Sequence, residues 1–263
     1  MNDLSIKWKD FYKNVFALVV PMALQNLINV GVTAADVVML GKVSEKVLSG
    51  ASLAGQIQYI MVLFLFGLTS GATVLTAQYW GKGDKTAIEK ILALGIRSAV
   101  IITAIFTIAA FTIPASLMRI FTNDPQVITE GVKYLRIVAC SYIIMGITNV
   151  YLYVMRSIER VIVATVVYLA SFSCNVIFNA IFIFGLFGFP ALGIRGAAIA
   201  TLIARIMELV LVCGYAKIYN KDVKFRVHYF LHQDKLLVRD FLVYSLPVVL
   251  NEVMWGLGTS ANT

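Results

Sequence analysis

The chain has 263 residues, 60% hydrophobic and 14% charged, with a mean hydropathy of +0.84. That balance lies outside the range of soluble domains and, with long uncharged runs between short charge clusters, reads as an all-α polytopic membrane protein. The net charge of +8 sits mostly in the turns, so it speaks for topology and anionic lipid and excludes nucleic acid as the partner.

In chain order, MNDLSIKWKD (Met1 to Asp10) reads as a short amphipathic lead-in, and the first span follows over about 11–41. No charge occurs between Lys13 and Asp36, a run long enough to cross a bilayer, which takes about 20 apolar residues. The run is too long and too polar inside for a cleaved leader, so it is expected to be retained. Pro21 interrupts it. Proline has no backbone donor and its ring crowds the preceding turn, which ends or kinks a helix. Pro21 is thus a candidate hinge or a static kink. Gln25, Asn26 and Asn29 place amides on the next two turns, with Gln25 and Asn29 on one face. They either line a cavity or bond to neighbouring helices. Asp36 follows roughly 22 Å beyond the proline at 1.5 Å per residue. A carboxylate at membrane depth costs about 2.5–3.5 kcal/mol, and taking up a proton is the cheap escape. Asp36 is therefore either a proton or cation site beside a hinge, or a headgroup residue at the end of a long helix.

The second span occupies much of 47–80, which holds no charge. As one helix it would run about 50 Å against a hydrocarbon core of about 30 Å, so it must tilt, bend or project. Gly67 and Gly71 are the expected soft points. Gln56, Gln58, Tyr59, Thr69, Ser70 and Thr73 make it too polar to face lipid all round. GKGDK (81–85) is a turn, and the third span is expected over about 91–118, ending near Pro114. FTNDPQ (121–126) is a loop in which Asp-Pro forms the turn. The fourth span is expected over about 128–155, the fifth over about 162–185, and GLFGFPALGIRG (185–196) joins it to the sixth. GAAIAT (196–201) opens that span with small residues suited to close helix packing. Arg205 and Glu208 stand at i, i+3 within it and are expected to pair. A basic linker, 217–240, leads to a seventh span from about 241. His228 and His232 in the linker have metal-like spacing but no carboxylate or thiol partner, and read as a solvated pair. Cys140, Cys174 and Cys213 are isolated in apolar runs and read as small core residues. No metal or cofactor motif occurs. Phosphate loops, G-x-S-x-G elbows and nucleophile–base pairs are also missing, so the sequence does not read as an enzyme.

If the N-terminus is cytoplasmic, fifteen of the 22 Lys and Arg fall on the cytoplasmic side, which satisfies the positive-inside rule. Sliding the chain by 226 residues lays NVFALVVPMALQN on DFLVYSLPVVLNE. Pro21 falls on Pro247, Gln25 on Asn251, Asn26 on Glu252 and Thr33 on Thr259. A proline in mid-run, then an amide or acid four and five residues on, occurs twice. That is the mark of a parallel repeat of six helices. The division expected is a six-helix lobe over 1–216, the linker over 217–240, and the start of a second lobe over 241–263. Because Thr263 falls inside the seventh span, the remainder of the second lobe is expected as a missing partner.

VPMALQNLINVGVTAADVVMLGK in the first span, ASLAGQIQY and TAQYWGKGD at the two ends of the second, and DPQVITEGVKYLRI before the fourth carry a family likeness. GIRGAAIATLIARIMEL in the sixth and SLPVVLNEVMWGLG in the seventh add to it. In this order and spacing the chain resembles the multidrug and toxic compound extrusion (MATE) family, on its bacterial DinF-like side, over essentially its whole length. The resemblance implies the N-lobe of a twelve-helix antiporter of two lobes, in a bacterial inner membrane, with no cofactor beyond the coupling ion, H+ or Na+. It implies small cationic or amphipathic substrates, such as drugs and metabolites, and contact with membrane lipid. Asp36 matches the family's N-lobe cation or proton site. Asn175 and Asn179 match an Asn and Asp pair often found in the fifth span, so the second carboxylate is replaced by an amide. Thr201 is a further contact by position, and Glu252 matches an acid many members carry in the seventh span.

A single titratable Asp36 among amides suits protons better than a caged sodium ion. Ionised, it would hold a positively charged substrate alongside aromatic faces such as Tyr59, with Gln25, Asn29 and Gln56 as further candidate cavity residues. Protonated, it would release the substrate as the helix rebends at Pro21. Two alternatives stand beside this reading. A lipid-linked oligosaccharide flippase shares the architecture but would carry several basic residues inside its spans, where only Arg205 lies deep. The other is a non-transporting half that must assemble.

Overall fold

The structure is a computed structural model that describes residues 8–231 and 234–260. Most of the lead-in (1–7), His232 of the histidine pair, and residues 261–263 lie outside the described residues. The described chain folds into α1 (Trp8–Gly41), α2 (Glu45–Gly81), α3 (Lys85–Thr112), α4 (Pro114–Arg119) and α5 (Pro125–Val138). It continues through α6 (Tyr142–Ser157), α7 (Val161–Phe184), α8 (Ile194–Ile218), α9 (Val227–Leu231) and α10 (Lys235–Ser260). No strand occurs among the described residues. Among the described residues, six stretches are long and apolar enough to cross a membrane: α1, α2, α3, α5 with α6, α7 and α8.

The turns are fixed by capping chemistry. Ser44 Oγ accepts from the Val47 amide at 3.1 Å, and Asp84 Oδ1 from Ala87 at 3.0 Å. Asp124 caps α5 through the Gln126 amide, with Pro125 at the first helical position, and also pairs with Lys46 of α2. In the GKGDK turn Gly83 takes a left-handed φ of 74°, which only glycine adopts without strain. The Asp84 cap starts α3 at Lys85, six residues before the expected beginning. Pro114 then opens the separate α4 instead of ending the span at 118.

The fourth span is broken where no proline or glycine marks it. Residues 139–141 form a turn of 3-10 helix between α5 and α6, and Ser141 Oγ donates to the Val138 carbonyl at 2.6 Å. Such back-bonding bends a helix. Thr107 Oγ1 of α3 donates to the carbonyl of Ala139 at 3.3 Å and so satisfies an acceptor at the break.

The expected soft points of the second span are instead docking points. α2 runs unbroken through Gly67 and Gly71, and α10 lies against them. A Cβ on Gly67 would stand 2.6 Å from Val249 Cα, and one on Gly71 2.8 Å from the Ser245 amide nitrogen. Ser245 Oγ donates to the Leu68 carbonyl at 3.4 Å. α10 begins at Lys235 rather than 241. Gly196 has the close-packing role its small neighbours suggested, its Cα facing the Phe182–Ile183 backbone of α7 with Ala197, Ala198 and Ala200 buried around it. The core is shared by α2, α3, α5, α6, α7 and α8, with Met61, Leu92, Tyr142, Leu152 and Met155 wholly enclosed. α1 lies at the rim, packed chiefly on α7, and presents Leu27 and Val30 outward.

At the end of the bundle where α3 and α7 begin, the basic linker is fastened to the helices. Asp222 accepts from Lys85 Nζ and from Arg160 Nη2, each at 2.9 Å. Glu89, nearly buried on α3, accepts from the Lys224 amide at 3.0 Å and Arg226 Nε at 2.7 Å. Asn220 Oδ1 caps the turn through the Asp222 and Val223 amides. The hydrogen bond from Lys85, then that from Arg160, hold the Asp222 carboxyl below the usual carboxylate range. A carboxyl lowered by folding stabilises above its unfolded pKa of about 3.9 and loses that contribution as pH falls through the lower folded value. Asp222→Asn is therefore expected to speed hydrogen exchange of the linker amides by a few-fold at pH 7. The difference from the wild type should fade below about pH 4. No difference at pH 7 would mean that the pairs do not hold the linker.

Candidate functional site

Four helices converge on Asp36. It sits on α1 a little over one turn before the helix ends at Gly41 and faces α7, while Val37 and Val38 point outward. Asn175 and Asn179 stand one turn apart on α7 and so share a face, where both are buried. Thr201 stands on α8, and Tyr134 comes from α5. Asn179 Nδ2 donates to Asp36 Oδ1 at 2.5 Å and to Asn175 Oδ1 at 3.0 Å. Asn175 Nδ2 lies 3.4 Å from Thr201 Oγ1, and the Tyr134 side chain lies near the same threonine. The result is one chain of hydrogen bonds across α1, α7 and α8, with Tyr134 of α5 beside it.

Arg205 follows Thr201 by one turn on α8 and lies within electrostatic range of Asp36 and Tyr134. Its Nη1 donates to Glu208 Oε1 at 2.7 Å, the pairing their i, i+3 spacing suggested. The cluster thus gathers one carboxylate, donor-rich amides and a nearby guanidinium. Asn179 turns its N–H toward Asp36, an orientation that stabilises a carboxylate but opposes a cation lodged between them. No group of three or more His, Cys, Asp or Glu able to hold a metal ion occurs among the described residues.

The remaining sequence candidates lie elsewhere. Gln25 is buried, 1% exposed, and donates to Thr165 Oγ1 at 2.7 Å and to the Val161 carbonyl at 3.2 Å. It ties α1 to the start of α7, three turns from Asp36. Thr165 Oγ1 also reaches the Pro21 carbonyl at 3.5 Å. α1 is one helix through Pro21, and the proline marks a boundary: residues 15–20 include none that is buried, whereas the stretch beyond is held at Gln25, Ile28 and Asp36. Asn29, Gln56 and Tyr59 are exposed, and Glu252 is half-buried on α10. An open cleft where α2 and α5 begin is lined by Glu45, Lys46, Ser49, Ser52, Thr122 and Asp124 and involves none of the Asp36 group. Sequence reasoning missed Tyr134, which lies in a mixed polar stretch with nothing to single it out.

Comparison with known proteins agrees with this architecture. The MatE family model matches residues 21–181. A probable multidrug resistance protein NorM of Bacillus licheniformis is 30% identical over 207 residues, covering 76% of this chain and 44% of that protein. One of the same description from Thermotoga maritima is 28% identical over 198 residues, covering 73% and 42%. Among solved structures, a MATE in the bent conformation superposes with a TM-score of 0.83 at 19% identity, covering 92% of this chain and 53% of that one. An outward-facing multidrug resistance MATE family transporter of the MOP superfamily gives 0.82, also at 19% identity. At that identity the likeness shows the fold. The chain spans about half the length of the relatives it matches.

Proposed function

The chain belongs to the MatE family, and from that membership we propose that it forms the first six-helix lobe of an exporter trading protons for cationic, amphipathic compounds. The observation that carries the reading is the Asp36–Asn179 contact. It holds the Asp36 carboxylate against α7, beside buried amides. Ionised Asp36 attracts a cationic substrate; protonated Asp36 does not. One pKa unit of difference between the two states of the transporter couples about 1.4 kcal/mol per proton to the cycle. Pro21 supports a hinge, because the stretch of α1 before it is loosely covered while the stretch after it is tied to α7. Protons are favoured over sodium because Asn179 presents a donor to Asp36 and Arg205 adds positive charge nearby.

The relatives' length supports a second lobe, which α10 begins and to which Glu252 would contribute an acid. The distribution of Lys and Arg supports an N-terminus and a linker on the cytoplasmic side of a bacterial inner membrane. Everted vesicles from cells expressing the chain together with a second lobe test the function. A pH gradient alone, acid inside, is expected to drive accumulation of ethidium. A sodium gradient at uniform pH should not. Accumulation driven by sodium alone, or by neither gradient, would overturn the reading.

A further inference from the structure

Glu208 lies on the inner face of α8 and is only 1% exposed. Its Oε1 is taken by Arg205, but Oε2 is enclosed and accepts no hydrogen bond. A buried carboxylate is tolerated when it is paired and its remaining lone pairs are satisfied, and here half of its acceptors stand idle. From α7 it is faced by Tyr168, whose hydroxyl donates to Asn149 Oδ1 of α6 at 3.3 Å. Arg156 and Tyr153 of α6 lie behind that tyrosine. On its own helix it is faced by Arg205, beyond which are Asp36 of α1 and Tyr134 of α5. Asp36 therefore lies within electrostatic range of the guanidinium that Glu208 already holds.

One guanidinium neutralises one carboxylate. In a low-dielectric interior the second sheds its charge by binding a proton. We propose that Glu208 is a second proton site of this lobe, sharing a single proton with Asp36 through Arg205. With Asp36 protonated, Arg205 rests on Glu208, as in this structure. With Asp36 ionised and no substrate bound, Arg205 turns to Asp36 and the proton rests on Glu208 Oε2. The proton moves from one carboxyl oxygen to another, no other bond changes, and the charge of the three groups stays at zero. A cationic substrate at Asp36 replaces that proton and sends it to solvent. Arg205 then remains with Glu208.

This rests on the reading of Asp36 as the proton-binding acid, and the test separates the two. The infrared carbonyl stretch of protonated carboxyl groups would be recorded on the purified chain in lipid nanodiscs at neutral pH. The wild type is expected to show a band for one proton in the interior. Asp36→Asn should lose it, because Arg205 then pairs with Glu208. Glu208→Gln should lose it as well, because Arg205 is then free to pair with Asp36. A band that survives in Asp36→Asn sinks the reading of Asp36. A band lost in Asp36→Asn but intact in Glu208→Gln leaves Asp36 in place and overturns the shared proton. Should Glu208→Gln fail to fold, wild-type chain labelled with 13C-carboxyl glutamate decides instead. Part of the band moves if the proton is shared, and none moves if it is not.

Discussion

Asp36→Asn is expected to remove the pH dependence of cation binding while leaving the lobe folded. The amide keeps the shape of the carboxyl and still offers an oxygen to Asn179 Nδ2, so the hydrogen-bonded chain to Asn175 and Thr201 can persist. What it loses is charge. Tetraphenylphosphonium, a bulky cation, should bind the variant at least tenfold more weakly near neutral pH, about 1.4 kcal/mol, with an affinity that no longer changes with pH. The wild type should bind it more tightly as pH rises, because ionised Asp36 attracts the cation and protonated Asp36 does not. Tryptophan fluorescence on heating would report whether the fold is intact. Equal and pH-dependent binding by both proteins would exclude Asp36 as the coupling acid.

The second large effect concerns how α10 meets α2. Gly67→Val together with Gly71→Val is expected to push α10 off α2. The added Cβ atoms meet the backbone at Val249 and Ser245, which cannot yield as the end of a flexible side chain can. Overpacking costs about 1–3 kcal/mol at each site. Hydrogen exchange over α10 should accelerate roughly tenfold or more, while α3 and α6, packed elsewhere, keep their protection. Unchanged exchange in α10 would mean that these glycines do not seat it.

These glycines show what a single sequence displays and what it conceals. Gly67 and Gly71 are visible as interruptions in a long apolar run, and local reasoning takes them as points of weakness. Their use depends on a helix more than 170 residues later in the chain, whose register no local pattern supplies. The break at 139–141 was concealed for a different reason. Serine and threonine hydroxyls produce it by competing for backbone carbonyls, and such residues occur in many unbroken spans. The six apolar spans of the lobe and the turns at 81–85 and 121–126 were legible, because charge clusters and turn-forming residues are local signals.

The candidate site was legible in part. Asp36 stands out as an acid in an otherwise uncharged span. Asn175 and Asn179 share a face by spacing, and the structure brings both, with Thr201, into contact with it or with one another. Gln25 reads in the sequence as either a cavity residue or a bond to a neighbouring helix, because any amide in a span must find a partner, and its partner is the start of α7. The approach of Tyr134 to Thr201 and Arg205 follows from how α5 and α8 cross, which sequence spacing does not encode.

The most direct test counts protons. Tetraphenylphosphonium is added to the chain in nanodiscs, in weakly buffered solution near neutral pH, and the proton released is measured against the cation bound. Competition between proton and cation for Asp36 predicts close to one proton per cation in the wild type and none in Asp36→Asn. Binding of the cation by the wild type with no release of protons would contradict it.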